Sequence, residues 1–357
     1  MSKVFVGLSG GVDSSVAALR LKKAGHDVTG VFIKVWHPDF LVCNWEQERL
    51  DAMRVAAKLA IPFLTCDAEA AYRDAVAHYF IESYRQGLTP NPDVKCNKEV
   101  KFGAFMEFAQ ERGADFIATG HYAQRRRTDL LRGVDTTKDQ SYFLWTLTPE
   151  QLAYTLLPVG DSTKDVIRAE AAGAGLLTAE KKDSQGVCFL GHIDIPDFLS
   201  HYIDLVPGKV LNESGKVIGT HAGAFVYTVG QRHGFSITNH DAARTPHYVV
   251  SKDITANTIT VSTSHPTTQS GNILTLTNIQ LRDTITQNEQ LTAQTRYRQL
   301  PGLVTAIDQS DNTLTIRIDN TTEAVATGQS CVLYRGEVCL GGGIISWVHS
   351  LTPHLRC

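Results

Sequence analysis

Residues 4–16 read Val-Phe-Val-Gly-Leu-Ser-Gly-Gly-Val-Asp-Ser-Ser-Val, and this stretch constrains the fold more than any other. Residues 4–8 form a short, β-branched apolar run of strand length. The chain then turns through Ser9, Gly10 and Gly11 and enters an amphipathic helix predicted over 14–24. Two adjacent glycines accept backbone angles that a side chain resists, and they let the main chain approach a ligand closely. A helix that starts straight after the turn aims its unpaired N–H groups and the positive end of its dipole back at it. Strand, glycine turn and helix start together make a site for phosphate or pyrophosphate. The spacing excludes two common forms of such a site. No lysine follows Gly11, as G-x-x-x-x-G-K-[ST] requires, and Gly7, Gly10 and Gly11 do not fit G-x-G-x-x-G.

Strand and helix signals alternate through the first part of the chain. Strands are predicted over 28–35, 63–66 and 116–119, and helices over 46–60, 72–86 and 98–112. In the first of these helices Leu50, Met53, Ala57 and Ala60 share one face; in the second, Val76, Tyr79, Phe80, Ser83 and Tyr84 do. Such alternation implies right-handed crossovers and a doubly wound parallel sheet, an α/β fold with its ligand beyond the carboxyl ends of the strands. Residues 125–132 read as a polar hairpin. Thr148, Pro149 and Gln151 mark a helix start with Thr as N-cap, and another helix opens after 160–163. From about Pro207 the pattern changes to short strands and turns, with hairpins near 210–219, 248–261 and 303–318. The expected division is a catalytic domain over 1–200, a central β-rich domain over 201–269 and a C-terminal β-barrel over 270–357.

A length of 357 residues suits two or three domains, and 43% hydrophobic with 20% charged residues is ordinary for a soluble protein. No run of 18 apolar residues occurs and the N-terminus leads straight into a strand, so neither a membrane span nor a signal peptide is expected, and a cytoplasmic location is. A net charge of −3 excludes a polyelectrolyte, yet four basic clusters stand out: Lys95, Lys98 and Lys101; Arg125, Arg126 and Arg127; Lys181 and Lys182; Arg296 and Arg298. Brought together by the fold, they would make a nucleic-acid face; apart, they are solvated surface. The seven cysteines are odd in number and none is spaced C-x-x-C, which speaks against a zinc ribbon or a secreted disulfide framework.

Two of those cysteines lie in unusual settings. Residues 89–98 read Thr-Pro-Asn-Pro-Asp-Val-Lys-Cys-Asn-Lys, a segment whose two prolines favour a stiff, extended loop. Cys96 sits there among three lysines, with a helix start following, a setting that favours thiolate over thiol. Asp93, three residues earlier, is placed to take or deliver a proton. The second setting is Lys-Lys-Asp-Ser-Gln-Gly-Val-Cys-Phe over 181–189, where Cys188 again follows lysines and a glycine. Either cysteine also suits a buried structural role, and spacing alone does not bring the two together.

The Ser-Gly-Gly-Val-Asp-Ser loop resembles the pyrophosphatase loop of enzymes that cleave ATP to AMP and pyrophosphate, among them GMP synthetase, argininosuccinate synthetase and tRNA-thiolating enzymes. Together with the Asn-Pro-Asp-x-x-Cys-Asn-Lys stretch, Ala-Thr-Gly-His-Tyr at 118–122, Lys-Asp-Gln-Ser-Tyr-Phe-Leu at 138–144, Lys181 to Phe189, Gly-Gln-Arg at 230–232 and residues 340–344, it is similar over nearly the whole chain to the bacterial tRNA-specific 2-thiouridylases. That resemblance implies an ATP-dependent tRNA-uridine 2-sulfurtransferase acting on the wobble uridine of lysine, glutamate and glutamine tRNAs. Gly7, Leu8, Ser9, Gly10, Gly11, Val12, Asp13 and Ser14 would hold the ATP phosphates, with Ile33 and Gly120 lining the adenosine site. Asn91, Pro92 and Asp93 would meet the target base. His121, Lys138, Asp139, Gln140, Arg296, Tyr297 and Gln329 would contact tRNA. Cys96 would be the nucleophile, and Cys188 would carry the incoming persulfide sulfur. Family members often have Met where Ile33 stands and Thr where Gln185 stands.

The implied chemistry is coherent. A uracil C2 carbonyl is a poor electrophile until its oxygen takes AMP and becomes a leaving group, and Mg²⁺ arriving with ATP would offset the phosphate charge. Either persulfide attack or release of sulfide ends with Cys96 and Cys188 joined as a disulfide that a reductant must open. The base must leave the anticodon stack to be reached. A sulfur-relay protein or cysteine desulfurase is implied as a partner. The alternative is another ATP-pyrophosphatase, a ligase or amidating enzyme, which would share the loop but have no need of two lysine-flanked cysteines or a C-terminal barrel.

Overall fold

The computed structural model describes residues 1–41, 45–182, 194–238 and 245–349. Its first part is a five-stranded parallel sheet. The strands are β1 (Lys3–Gly7), β2 (Asp27–Lys34), β3 (Phe63–Asp67), β4 (Phe116–Ala118) and β7 (Thr155–Leu156), in the order β3-β2-β1-β4-β7. Val4 pairs with Val28 on one side and Phe116 on the other, so β1 is central and the chain winds outward from it in both directions. That reversal of strand order opens a crevice beyond the carboxyl ends of β1 and β4. Side chains alternate across β1. Val4 and Val6 enter one apolar cluster with Val12 and Val16 of helix α1 (Val12–Lys23), while Phe5 enters the other with Phe102 and Phe105. Both faces are therefore covered, as a parallel sheet requires.

The helices match the reading in place and differ in detail. Helix α2 (Trp45–Lys58) buries Ala52, Val55 and Ala56, whereas Met53 and Ala57, from the face picked out by the sequence, are exposed. Small residues win that face because the sheet lies close against it. The helix predicted over 72–86 is a longer rod: α3 (Glu69–Tyr72), a π-helical turn (Arg73–Ala77) and α4 (His78–Arg85). The largest change concerns residues 89–98. These are not an extended loop: α5 (Pro92–Cys96) begins at once and runs through a second π segment (Asn97–Ala104) into α6 (Phe105–Glu111). Asn91 is the N-cap, its side chain accepting from the Val94 amide at 3.3 Å, and Pro92 stands at the first helical position, where its missing N–H and fixed φ fit.

The polar hairpin is present as β5 (Ala123–Arg126) and β6 (Asp129–Arg132). The capping box at α7 (Pro149–Ala153) is complete, with Gln151 N donating to Thr148 Oγ1 and Thr148 N to Gln151 Oε1. Thr163 precedes α8 (Lys164–Gly173). Beyond α9 (Ile195–Ser200) comes a five-stranded central sheet of β8 (Gly208–Leu211), β9 (Val217–His221), β10 (Phe235–Ile237), β11 (Tyr248–Asp253) and β12 (Thr258–Ser262). The last part is a closed six-stranded barrel of β14 (Ile273–Leu281), β15 (Gln290–Gln294), β16 (Gly302–Gln309), β17 (Thr313–Ile318), β19 (Ser330–Arg335) and β20 (Val338–His349), sealed by pairing of β14 with β20. The β5–β6 hairpin of the first part joins this barrel, Val338 of β20 pairing with Leu131. Among the described residues no helix is long and apolar enough to cross a membrane.

Candidate active site

The glycine turn lies where the crevice opens. Gly10 has φ +71°, and a Cβ there would lie 2.7 Å from the Glu48 carbonyl oxygen, so only glycine fits. Leu8 and Val12 are core side chains, and Leu8 N donates to Val31 O at 2.8 Å, which holds the start of the turn to the sheet. Ser15 Oγ donates to Gly11 O at 2.7 Å, and Gly11 N donates to Ser9 Oγ at 3.3 Å. No side chain caps α1, so its first amides point at the turn. Gly120, just past β4, closes over them: a Cβ on it would sit 2.6 Å from Ser14 N. Ile33 lines the same end of the sheet, 3.5 Å from where a Cβ on Gly7 would stand. Asp13 is held by Lys164 Nζ at 2.7 and 2.8 Å and by the Tyr122 hydroxyl at 2.7 Å. The sequence reading missed Lys164. Its signal, a buried lysine at a helix start, needed knowledge that Asp13 lay opposite. On the other rim Lys181 pairs with Asp51 at 2.8 Å, and burial raises the nearby Glu48 carboxyl above its usual range.

Cys96 ends α5 inside the apolar cluster that contains Val94, Val100 and Phe102, and is 4% exposed. Burial, more than any charge, pushes its thiol up to about 11, with Lys101 opposing and Asp93 adding. This corrects the expectation of a lowered, thiolate-favouring environment. Ionising the thiol there costs roughly 3 kcal/mol more than in water. The lysines do not surround the sulfur as the sequence suggested. On the helix Lys95 turns to Glu99 at 2.9 Å, Lys98 is 4.0 Å from the same carboxylate, and Lys101 reaches His121 Nε2 at 3.5 Å. Lys101 is thus the charge shared by Cys96 and His121, which follows Gly120.

His121 is buried, hydrogen-bonded to Thr119 Oγ1 at 2.8 Å, and held neutral by burial and by Lys101. Asp139 accepts from Gly133 N, Ser141 N, Ser141 Oγ and Arg132, so its carboxylate knits the loop that contains it. Gln140 Oε1 accepts from Tyr122 N at 2.9 Å, and Lys138 is partly buried nearby. From the barrel side Gln329 Nε2 donates to Thr89 O at 3.1 Å and Pro90 O at 3.2 Å, directly before Asn91. Arg296 donates to Val229 O at 2.7 Å, and Tyr297 packs on Phe143 with ring centroids 4.4 Å apart. The barrel thus meets the first part at two points, Gln329 on the segment that leads into Asn91 and Tyr297 on Phe143. Cys188 and Gln185 lie outside the described residues. Several cluster cations have protein partners, Arg125 donating to the Leu152 and Ala153 carbonyls and Arg126 lying 3.6 Å from Asp129.

Family models match along most of the chain: a tRNA methyl transferase HUP domain over residues 2–192, a tRNA methyl transferase PRC-barrel domain over 196–263 and an aminomethyltransferase beta-barrel domain over 272–345. The tRNA-specific 2-thiouridylase MnmA of Vibrio cholerae is 45% identical over 359 residues, covering 96% of each chain. Its namesake in Proteus mirabilis is 46% identical over 356 residues, again covering 96% of each. The chain belongs to the tRNA-specific 2-thiouridylase family. As a member of the 2-thiouridylase family it is an enzyme of the sulfurtransferase class. The three family matches fall in turn on the parallel-sheet part, the central sheet and the barrel.

Proposed function

We propose that this enzyme thiolates C2 of the wobble uridine in lysine, glutamate and glutamine tRNAs, using ATP to activate the C2 oxygen. The supporting observation is the junction just described: a thiol on α5 and a phosphate turn on β1–α1, linked through Lys101 and His121, with the barrel gripping the segment before α5. ATP phosphates sit on the α1 amides and the turn over residues 7–14, with the adenosine against Ile33 and Gly120. Mg²⁺ on ATP takes mostly phosphate oxygens and water, with one or two carboxylates. Both oxygens of Asp13 on the turn are engaged by Lys164, so the ion would travel on the phosphates and offset their charge.

The target base leaves the anticodon stack and meets Asn91, Pro92 and Asp93. Its C2 oxygen attacks the α-phosphate, and pyrophosphate departs. Cys188 brings sulfur as a persulfide from a relay protein or cysteine desulfurase. In one route the terminal persulfide sulfur bonds to C2 and AMP leaves; Cys96 then attacks the Cys188 sulfur, releasing the 2-thiouridine. In the other, Cys96 first frees sulfide from Cys188, and sulfide displaces AMP. Both end in a Cys96–Cys188 disulfide, and a reductant restores the two thiols. Cys96 must lose its proton within this cycle, and Asp93, three residues back on the same helix, is the carboxylate suited to accept it. His121, Lys138, Asp139, Gln140, Arg296, Tyr297 and Gln329 form the tRNA-facing wall. Domains 1–200, 201–269 and 270–357 act as catalytic core, connector and RNA-holding jaw in a cytoplasmic enzyme.

The purified enzyme, given ATP–Mg²⁺, unmodified tRNA and a persulfide donor, should form 2-thiouridine with AMP and pyrophosphate in equal amounts. ATP cleavage to AMP that depends on a different acceptor, with no thionucleoside, contradicts the proposal.

A further inference from the structure

Helix α5 contains both candidate chemical groups, Asp93 and Cys96, and a single short segment packs on it. Tyr142 lies on the turn Ser141–Leu144, which packs against α5. At its end, Asn97 Nδ2 donates to the Phe143 carbonyl at 3.2 Å. Tyr142 and Phe143 are adjacent on that turn.

The barrel in turn grips that dipeptide. The Tyr142 hydroxyl donates to Ser330 O at 3.1 Å, Trp145 Nε1 donates to Ser330 Oγ at 3.0 Å, and Phe143 packs on Tyr297. Tyr142 is 1% exposed and Ser330 is fully buried. A buried side chain anchored on the barrel, in a turn that packs against α5, is well placed to transmit a shift of one to the other, since packed interiors move as units. Tyr297 belongs to the barrel surface read above as tRNA-facing.

We propose that Tyr142 is a positioning residue that couples tRNA held on the barrel to the placement of α5. The inference rests on the proposed function and deepens it: the thiol and the carboxylate are set for reaction only when RNA occupies the barrel. Tyr142 touches no reacting atom itself.

Tyr142→Phe keeps the ring and removes the hydroxyl. Amide hydrogen exchange of residues 91–97 is followed with and without unmodified tRNA, alongside tRNA affinity and single-turnover thiolation. Binding of tRNA is expected to slow exchange of these amides in the wild-type enzyme and not in Tyr142→Phe. Affinity for tRNA should stay within about twofold while the single-turnover rate falls about tenfold, the size of one lost hydrogen bond. Four results overturn the coupling: wild-type amides that ignore bound tRNA; a variant that responds like wild type; a rate that falls only in step with affinity; and a wild-type enzyme that binds no tRNA. The last overturns the proposed function as well. Tight tRNA binding with slowed exchange but no thiolation overturns only the assigned reaction.

Discussion

The phosphate turn and helix α5 are built by opposite means. The turn is local: Ser9, Gly11 and Ser15 bond to one another within a few residues, and its special angle belongs to Gly10. Glu48, Gly120, Thr178 and the Asp13 partners come from farther along the chain. Helix α5 is held from a distance, Gln329 reaching Thr89 across 240 residues and Tyr142 reaching Ser330 across 188. A locally built site binds its ligand whenever its own strand and helix are formed. One built across a domain seam depends on the seam, and so can respond to what the seam holds.

Changes at either region should therefore separate. The largest expected effect is the pH dependence of Cys96 alkylation. With the thiol near 11 in the free enzyme, the thiolate fraction at pH 8 is on the order of 10⁻³, and the alkylation rate should rise about a hundredfold between pH 8 and pH 10. The sign for stability follows from the same shift. A thiol raised above its unfolded value stabilises the fold fully below pH 9 and loses that contribution as pH climbs toward 11, so brief exposures are required. An alkylation midpoint at or below 9 would show that the lysines, and not burial, govern the sulfur.

Next in size, Gly120→Ala places a methyl group against Ser14 N and should weaken ATP binding by about thirtyfold, the cost of a steric clash of 2–3 kcal/mol. Cys96 alkylation should stay unchanged. Equal loss of both would mean that the two regions are one cooperative unit. Gln329→Ala, the converse, should leave ATP affinity alone and slow thiolation by about fivefold, through two lost hydrogen bonds to the Thr89 and Pro90 carbonyls. Smallest in catalytic terms is Arg282→Met. Arg282 donates to the Trp145 and Leu147 carbonyls at 2.8 and 2.9 Å and to Cys339 O at 2.7 Å, tying barrel to core. Its loss should lower unfolding free energy by about 2–4 kcal/mol, measured by denaturant titration, with little change in ATP affinity.

The same contrast explains what the sequence could convey. The parallel sheet was legible because buried strands are continuous apolar runs, and the phosphate turn because its glycines and helix start adjoin in the chain. Strand β7 was not, since two residues carry no period. Helix α5 was misread although its start is written plainly: Asn91 as N-cap, Pro92 at the first position and Asp93 in the first turn. Reading the two prolines as an extended loop put Cys96 in a polar setting. Val94, Val100 and Phe102, also visible in the sequence, place it in the core. Partners such as Lys164 for Asp13 or Ser330 for Tyr142 depend on tertiary approach, which no local pattern reports.

The most direct measurement is the wobble nucleoside itself. Bulk tRNA from cells deleted for this gene, and from the same cells supplied with wild-type or Cys96→Ser enzyme, would be digested and analysed by mass spectrometry for 2-thiouridine derivatives. Loss on deletion, restored by wild type and not by Cys96→Ser, is the predicted result. Undiminished 2-thiouridine in the deleted cells, or full restoration by Cys96→Ser, would contradict the account.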